Sequence, residues 1–142
     1  MPRLAVVTAA LTYLLMIVGG VVSATGAGLA CPDWPLCHGR WIPPLEGPVL
    51  LEYGHRVLAS GVGLLILWNA RVAWRAHRGC WRALALASGV LLPLQVILGG
   101  VTVLSELTPW ISTLHLGVAF LLLAILLALA RASVRAWPAH AA

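Results

Sequence analysis

The sequence predicts an all-α integral membrane protein, a bundle of four transmembrane helices. They form two hairpins related by a pseudo-two-fold axis along the membrane normal. Three observations predict it. Hydrophobic residues make up 61% of the chain and charged residues 9%, and the mean hydropathy is +0.98, far from the makeup of a water-soluble domain. Four apolar stretches, about 4–22, 50–72, 84–104 and 111–130, meet the length of about 20 residues needed to cross a ~30 Å hydrocarbon core. The basic residues also sort to alternate connections. A chain of 142 residues so divided is expected to be a single four-helix membrane domain.

The first span follows Arg3 and ends in Gly19-Gly20-Val21-Val22. With the small residues Ser23 to Ala27 behind it, and Ala30-Cys31 further on, it imitates a secretory or lipoprotein signal. Its full span length and the charge pattern of the chain favour a retained helix. The connection 25–49 holds Cys31, Cys37, Pro32, Pro35 and the Pro43-Pro44 pair. Prolines at this density predict a shaped loop. The second span opens with Glu52, His55 and Arg56 near its head, and the next connection is crowded by Arg71, Arg75, Arg78 and Arg82. Cys80, in that connection, is expected to be a free bystander. The third span ends in Gly99-Gly100-Val101-Thr102, and the fourth carries His115 about five residues in, with Arg131 and Arg135 behind it.

Seven of nine basic residues (Arg3, Arg71, Arg75, Arg78, Arg82, Arg131 and Arg135) thus share one side, and all four acids (Asp33, Glu46, Glu52 and Glu106) share the other. The positive-inside rule makes the first side cytoplasmic. The expectation is a multi-pass protein of the cell membrane with both termini cytoplasmic and the 25–49 loop exoplasmic. The net charge of +5 then reports topology and contact with the lipid bilayer, and no nucleic-acid partner is expected. Trp110 at one face and Trp74, Trp81 and Trp137 at the other read as interfacial belts.

The glycine pairs after the first and third spans, each followed by a helix with a histidine near its start, suggest an internal repeat. Such a repeat sets His55 and His115 at matched depth on opposite sides of the axis. Taken alone, the glycine pairs, and Gly61 and Gly63, are sites of close helix packing. Two neutral imidazoles on facing helices suit the axial positions of a haem iron; the alternative is that each hydrogen-bonds across helices. His38, His77 and His140 sit in loops or the tail and are expected to be solvated. Glu52 shares a helical face with His55 and lies four residues before Arg56, which makes an ordinary ion pair one reading. In the other, Glu52 is a proton acceptor or stabilises developing positive charge, and Arg56 holds a haem propionate. Cys31 and Cys37, with five residues between them, can form a disulfide in an oxidising compartment, as a staple or in a redox role.

Taken together, several motifs closely resemble the haem A synthase family. These are Gly19-Gly20-Val21 through Ser23-x-Thr25-Gly26-Ala27-Gly28-Leu29, Cys31-Pro32-Asp33-Trp34-Pro35-x-Cys37-x-Gly39, and Glu52-x-x-His55-Arg56. Gln95-x-x-Leu98-Gly99-Gly100-x-Thr102-Val103 and His115-Leu116 extend the resemblance over nearly the whole chain. It implies oxidation of the C8 methyl of haem O to the formyl of haem A, by successive hydroxylations near the exoplasmic face, for terminal oxidase biogenesis. It makes His55 and His115 axial ligands of haem iron, Glu52 the acidic residue implicated in catalysis, and Cys31 and Cys37 the family's loop pair. Haem b is the implied cofactor and haem O the substrate, with haem O synthase and an electron acceptor as possible partners.

Members of the family typically have eight spans in two four-helix halves, whereas this chain supplies one half and two of the four haem-facing histidines. The expectation that repairs the difference is a homo-oligomer, a dimer or larger ring, whose protomers divide the haem roles or alternate between them, or all hold a single haem species. Two further classes use the same residues. A bis-histidine b-type membrane cytochrome or a non-catalytic haem carrier would need the histidines and leave Glu52 unexplained. A quinone-coupled thiol oxidoreductase would use Cys31 and Cys37 but lacks a second pair on the same side.

Overall fold

The computed structural model describes residues 2–136. Trp137 and His140, read above as a belt residue and a solvated tail residue, lie outside the described residues. Four helices follow in order: α1 (Pro2–Ala24), α2 (Gly47–Ala76), α3 (Cys80–Leu104) and α4 (Pro109–Ala136). A 3-10 turn, Ala27–Leu29, lies between the first two. Each of the four is long and apolar enough to cross a membrane. The chain is a multi-pass membrane protein built as a four-helix bundle.

The helices overrun the expected spans by up to eight residues. Hydropathy detects only the part that sits in hydrocarbon, while backbone hydrogen bonding continues through flanking residues such as Arg75 and Arg131. The overrun ends where the chain changes conformation. Pro48 sits in the first turn of α2, which closes at His77 in extended backbone, and Gly79 precedes α3 at φ 59°. Proline in a first turn loses nothing, because that N–H has no intrahelical partner. Between α3 and α4 the reversal is tight: Glu106 and Leu107 both have positive φ, and Leu107 donates its N–H to the Thr102 carbonyl at 2.9 Å.

Each helix packs on its neighbours in the chain, and α4 closes the ring on α1. The buried apolar side chains form two clusters. One is Ala9, Val62, Ile66, Leu92 and Leu126; the other is Ala73, Ala85, Ile125 and Leu129. Both lie toward the arginine-rich end. Val62 is seven residues from His55 and Leu92 seven from Gly99, about 10 Å along a helix. Both clusters thus sit about two helical turns or more from the histidines, while Val22, Val103, Ile111 and Val118 are buried closer to the histidine level. Buried Thr8, Thr12 and Ser88 satisfy their hydroxyls on carbonyls of their own helices, as suits a low-dielectric interior, whereas Nδ2 of buried Asn69 has no partner.

Candidate functional site

Both histidines are seated on glycine. A methyl group added to Gly19 of α1 would stand 3.0 Å from Cε1 of His55, and one added to Gly99 of α3 would stand 3.2 Å from Cε1 of His115. Each imidazole therefore lies where a side chain on the neighbouring helix would otherwise be. The two seats correspond: Gly19 is five residues before the end of α1 at Ala24, and Gly99 five before the end of α3 at Leu104. His55 belongs to the α1–α2 hairpin and His115 to α3–α4, on opposite sides of the ring. The glycines thus serve close packing, with an imidazole as the partner. Gly61, read as another packing site, has nothing within 4 Å, while Gly63 meets Leu92 at an ordinary 3.8 Å.

Nδ1 of His55 and Nδ1 of His115 are buried without a hydrogen-bond partner, as is Oε1 of Gln95. Leaving such an atom unpaired costs ~1–3 kcal/mol, so three at one level mark a place built for something other than helix packing. Nε2 of His115 has one long contact, 3.4 Å to Nε2 of Gln95. Orphaned ring nitrogens and glycine cradles are what a planar group bound between two imidazoles requires, so these residues fit a haem. No group of three or more His, Cys, Asp or Glu that could hold a metal ion occurs among the described residues; a macrocycle that supplies its own equatorial nitrogens needs only two from protein.

One turn above His55, Glu52 is buried, and its Oε1 accepts from Nε of Arg56 at 2.9 Å. The rest of the guanidinium faces the 25–46 loop. Nη1 donates to the carbonyls of Asp33 and Leu36, and Nη2 to that of Cys31, each at 2.8 Å. Four of the five N–H donors of an arginine are thereby engaged. The two-pronged grip on a propionate expected for Arg56 conflicts with this geometry, because the fork is already filled by loop carbonyls. Arg56 is instead a clamp between the loop and Glu52.

The loop is as shaped as its prolines predict. Cys31 and Cys37 form a disulfide and are fully buried, and Cys80 is free and exposed. Cys37 and Arg40 exchange backbone hydrogen bonds of 3.0 and 3.1 Å, and Tyr53 of α2 donates to the Trp41 carbonyl at 2.6 Å. His38, expected to be solvated, is exposed but tied, with its Nε2 2.8 Å from the Ala30 carbonyl. Asp33 accepts from the backbone N–H groups of His38 and Gly39 at 2.6 and 2.8 Å. The Gly39 bond first, and the His38 bond with it, hold the Asp33 carboxyl below its ordinary value of 3.8. A depressed carboxyl stabilises the folded loop above the unfolded pKa and ceases to do so as pH falls through the folded one. The protection of the His38 and Gly39 amides, relative to the intrinsic exchange rate at each pH, is therefore expected to fall on acidification below about pH 4. In Asp33→Ala it should be low at every pH; retained protection in that variant would contradict the assignment.

Trp34 carries the loop across to the other hairpin. A methyl group on Gly100 would lie 2.7 Å from its ring, so the indole covers the residue next to the Gly99 seat of His115. The loop thus reaches both histidine sites, through Arg56 on one side and Trp34 on the other. The repeat supplies its own control, since Gly20 has nothing within 4 Å. Gly100→Ala is expected to cost about 1–3 kcal/mol by overpacking and Gly20→Ala little, as read by thermal unfolding in detergent; equal effects would show that Trp34 does not rest there. Sequence reading gave no role to Trp34, Gln95, Tyr53 or Asp33. The signals available were the acid followed by His38-Gly39 and a glutamine inside an apolar span.

The family described as cytochrome oxidase assembly protein, COX15-CtaA, matches residues 2–48 and 47–141. The chain belongs to the COX15-CtaA family. Within it, the chain is similar to the heme A synthase of Bacillus pumilus, 32% identical over 131 residues, which cover 89% of this chain and 43% of that one. It is also similar to the heme A synthase of Symbiobacterium thermophilum, 44% identical over 94 residues, covering 58% and 31%. A protoheme IX farnesyltransferase of Halobacterium salinarum is 38% identical over 95 residues, 66% of this chain and 21% of that protein. This COX15-CtaA chain spans less than half the length of the curated relatives it matches. No solved structure matches it.

Proposed function

We propose that this protein is a haem A synthase unit, oxidising the C8 methyl of haem O to the formyl of haem A. The observation that carries the reading is the pair of glycine-seated histidines with orphaned Nδ1 atoms, in a chain whose relatives include named heme A synthases. His55 and His115 hold haem iron from the two hairpins, and the bound haem supplies redox chemistry at the level of Glu52. With water as the oxygen source, methyl to formyl releases electrons and protons in equal number, so the protein requires an electron acceptor.

Glu52 is the residue placed to deal with the protons and with positive charge developing at the methyl carbon. Its carboxylate lies one turn from His55 on the same face and is held by a single arginine contact. Arg56 fixes that carboxylate and the lid loop together, which orients the acid and limits water access. The reading puts the loop end of the bundle at the exoplasmic surface and the arginine-rich end in the cytoplasm. It also pairs the chain with further copies of itself, so that one pocket holds haem b as cofactor and another haem O as substrate.

The test is to express the chain with a haem O supply, extract the haem and identify it by mass. Haem A is expected with the native chain. Glu52→Ala is expected to bind haem and to lower conversion by about two to four orders of magnitude. Normal conversion by Glu52→Ala would remove Glu52 from the mechanism. Haem binding without conversion by the native chain would favour an electron-relaying cytochrome or a carrier.

A further inference from the structure

The arginine-rich end of the bundle contains a cavity of about 450 Å³ between α3 and α4, lined by Trp81, Leu127, Ala128, Arg131, Ala132 and Arg135. Its construction follows from helical spacing. Leu127, Arg131 and Arg135 fall at i, i+4 and i+8, a single stripe of α4, apolar toward the membrane middle and cationic at its end. Ala128 and Ala132 form the adjacent stripe, whose small side chains open the groove, and the half-exposed Trp81 of α3 walls its far side.

Among the described residues the two guanidiniums have no counter-charge. All four side-chain carboxylates, Asp33, Glu46, Glu52 and Glu106, lie at the opposite end, and the salt bridge among the described residues is Arg56 to Glu52. Arg82, the other cation near the start of α3, is occupied on the face of Trp74 at 4.4 Å. An occupant of the groove must therefore bring its own negative charge, and its lower part must be apolar.

We propose that this groove is a binding site for an anionic phospholipid. Arg131 and Arg135 grip the phosphate, which suits the forked, weakly hydrated guanidinium. Trp81 offers its indole N–H at the headgroup level, where this residue type favours the boundary between water and hydrocarbon. The first methylenes of an acyl chain descend over Ala128 and Leu127. The site is independent of the haem chemistry at the other end of the bundle.

The experiment uses the full chain purified from native membranes in mild detergent, exchanged into mixed phosphatidylglycerol and phosphatidylcholine micelles, with retained lipid read by native mass spectrometry. The native chain is expected to retain phosphatidylglycerol in preference to phosphatidylcholine. Arg131→Gln with Arg135→Gln should lower that retention about tenfold. Arg75→Gln with Arg78→Gln removes the same charge from the same end and should leave it unchanged. Ala128→Phe fills the groove without altering charge and should reduce retention as the arginine pair does. Equal loss in the two charge-matched variants would show diffuse attraction and overturn the proposal. So would full retention in Ala128→Phe, or displacement of the lipid by inorganic phosphate alone.

Discussion

Replacing His55 or His115 with alanine is expected to bring haem content down to background, as measured by the pyridine haemochrome of the purified protein. The two imidazoles come from different hairpins, so either loss leaves a macrocycle held from one side. The effect should not reflect collapse of the bundle, because the apolar clusters lie about 10 Å further along the helices and contain neither histidine. Helical content and thermal unfolding of the variants should therefore stay close to native. Substitutions at the seats should act in proportion to crowding. Gly19→Ala, with 3.0 Å to the His55 ring, and Gly99→Ala, with 3.2 Å to the His115 ring, are both expected to disturb haem more than Gly20→Ala, which has nothing within 4 Å. Near-native haem in both alanine variants of the histidines would remove the site.

Breaking the clamp has the second large effect. Arg56→Ala is expected to cost about 3–5 kcal/mol, because it strands a buried carboxylate and frees three loop carbonyls at once. Lysine should not rescue it, since a compact ammonium cannot reproduce the guanidinium fork. Combining Arg56→Met with Glu52→Gln should recover part of the loss, because no buried charge then remains unpaired. The loop should report the same event independently. In Arg56→Ala the Cys31–Cys37 disulfide, fully buried in the native fold, is expected to be reduced by mild thiol much faster than in the native protein. Unchanged stability together with unchanged reduction would mean that Arg56 holds nothing.

The four helices and the pairing of the histidine-bearing hairpins were legible because both depend on one-dimensional signals. A span needs only length and hydropathy, and the repeat left a glycine and a histidine at equivalent places in each hairpin. What the repeat does not duplicate was not legible. Glu52 and Arg56 correspond to Ser112 and Leu116 in the second hairpin, and Gln95 to Leu15 in the first, so each histidine has a neighbourhood of its own. The direction of the Arg56 side chain could not be read either. An arginine four residues after a glutamate predicts the ion pair, and the ion pair is present. Its three remaining bonds go to carbonyls 20 to 25 residues away, a choice made by the path of the loop. Contact between Trp34 and Gly100 is likewise a tertiary fact, set by where the disulfide loop falls across α3.

In the proposed site, His55 and His115 together hold a haem between the two hairpins. Resonance Raman and electron paramagnetic resonance spectra of the haem-loaded native chain test it most directly. The haem-loaded native chain is expected to show six-coordinate, low-spin ferric iron with two imidazole ligands, and each single histidine variant is expected to lose that signal. A native spectrum already high-spin, or one unchanged by removal of either histidine, would contradict it.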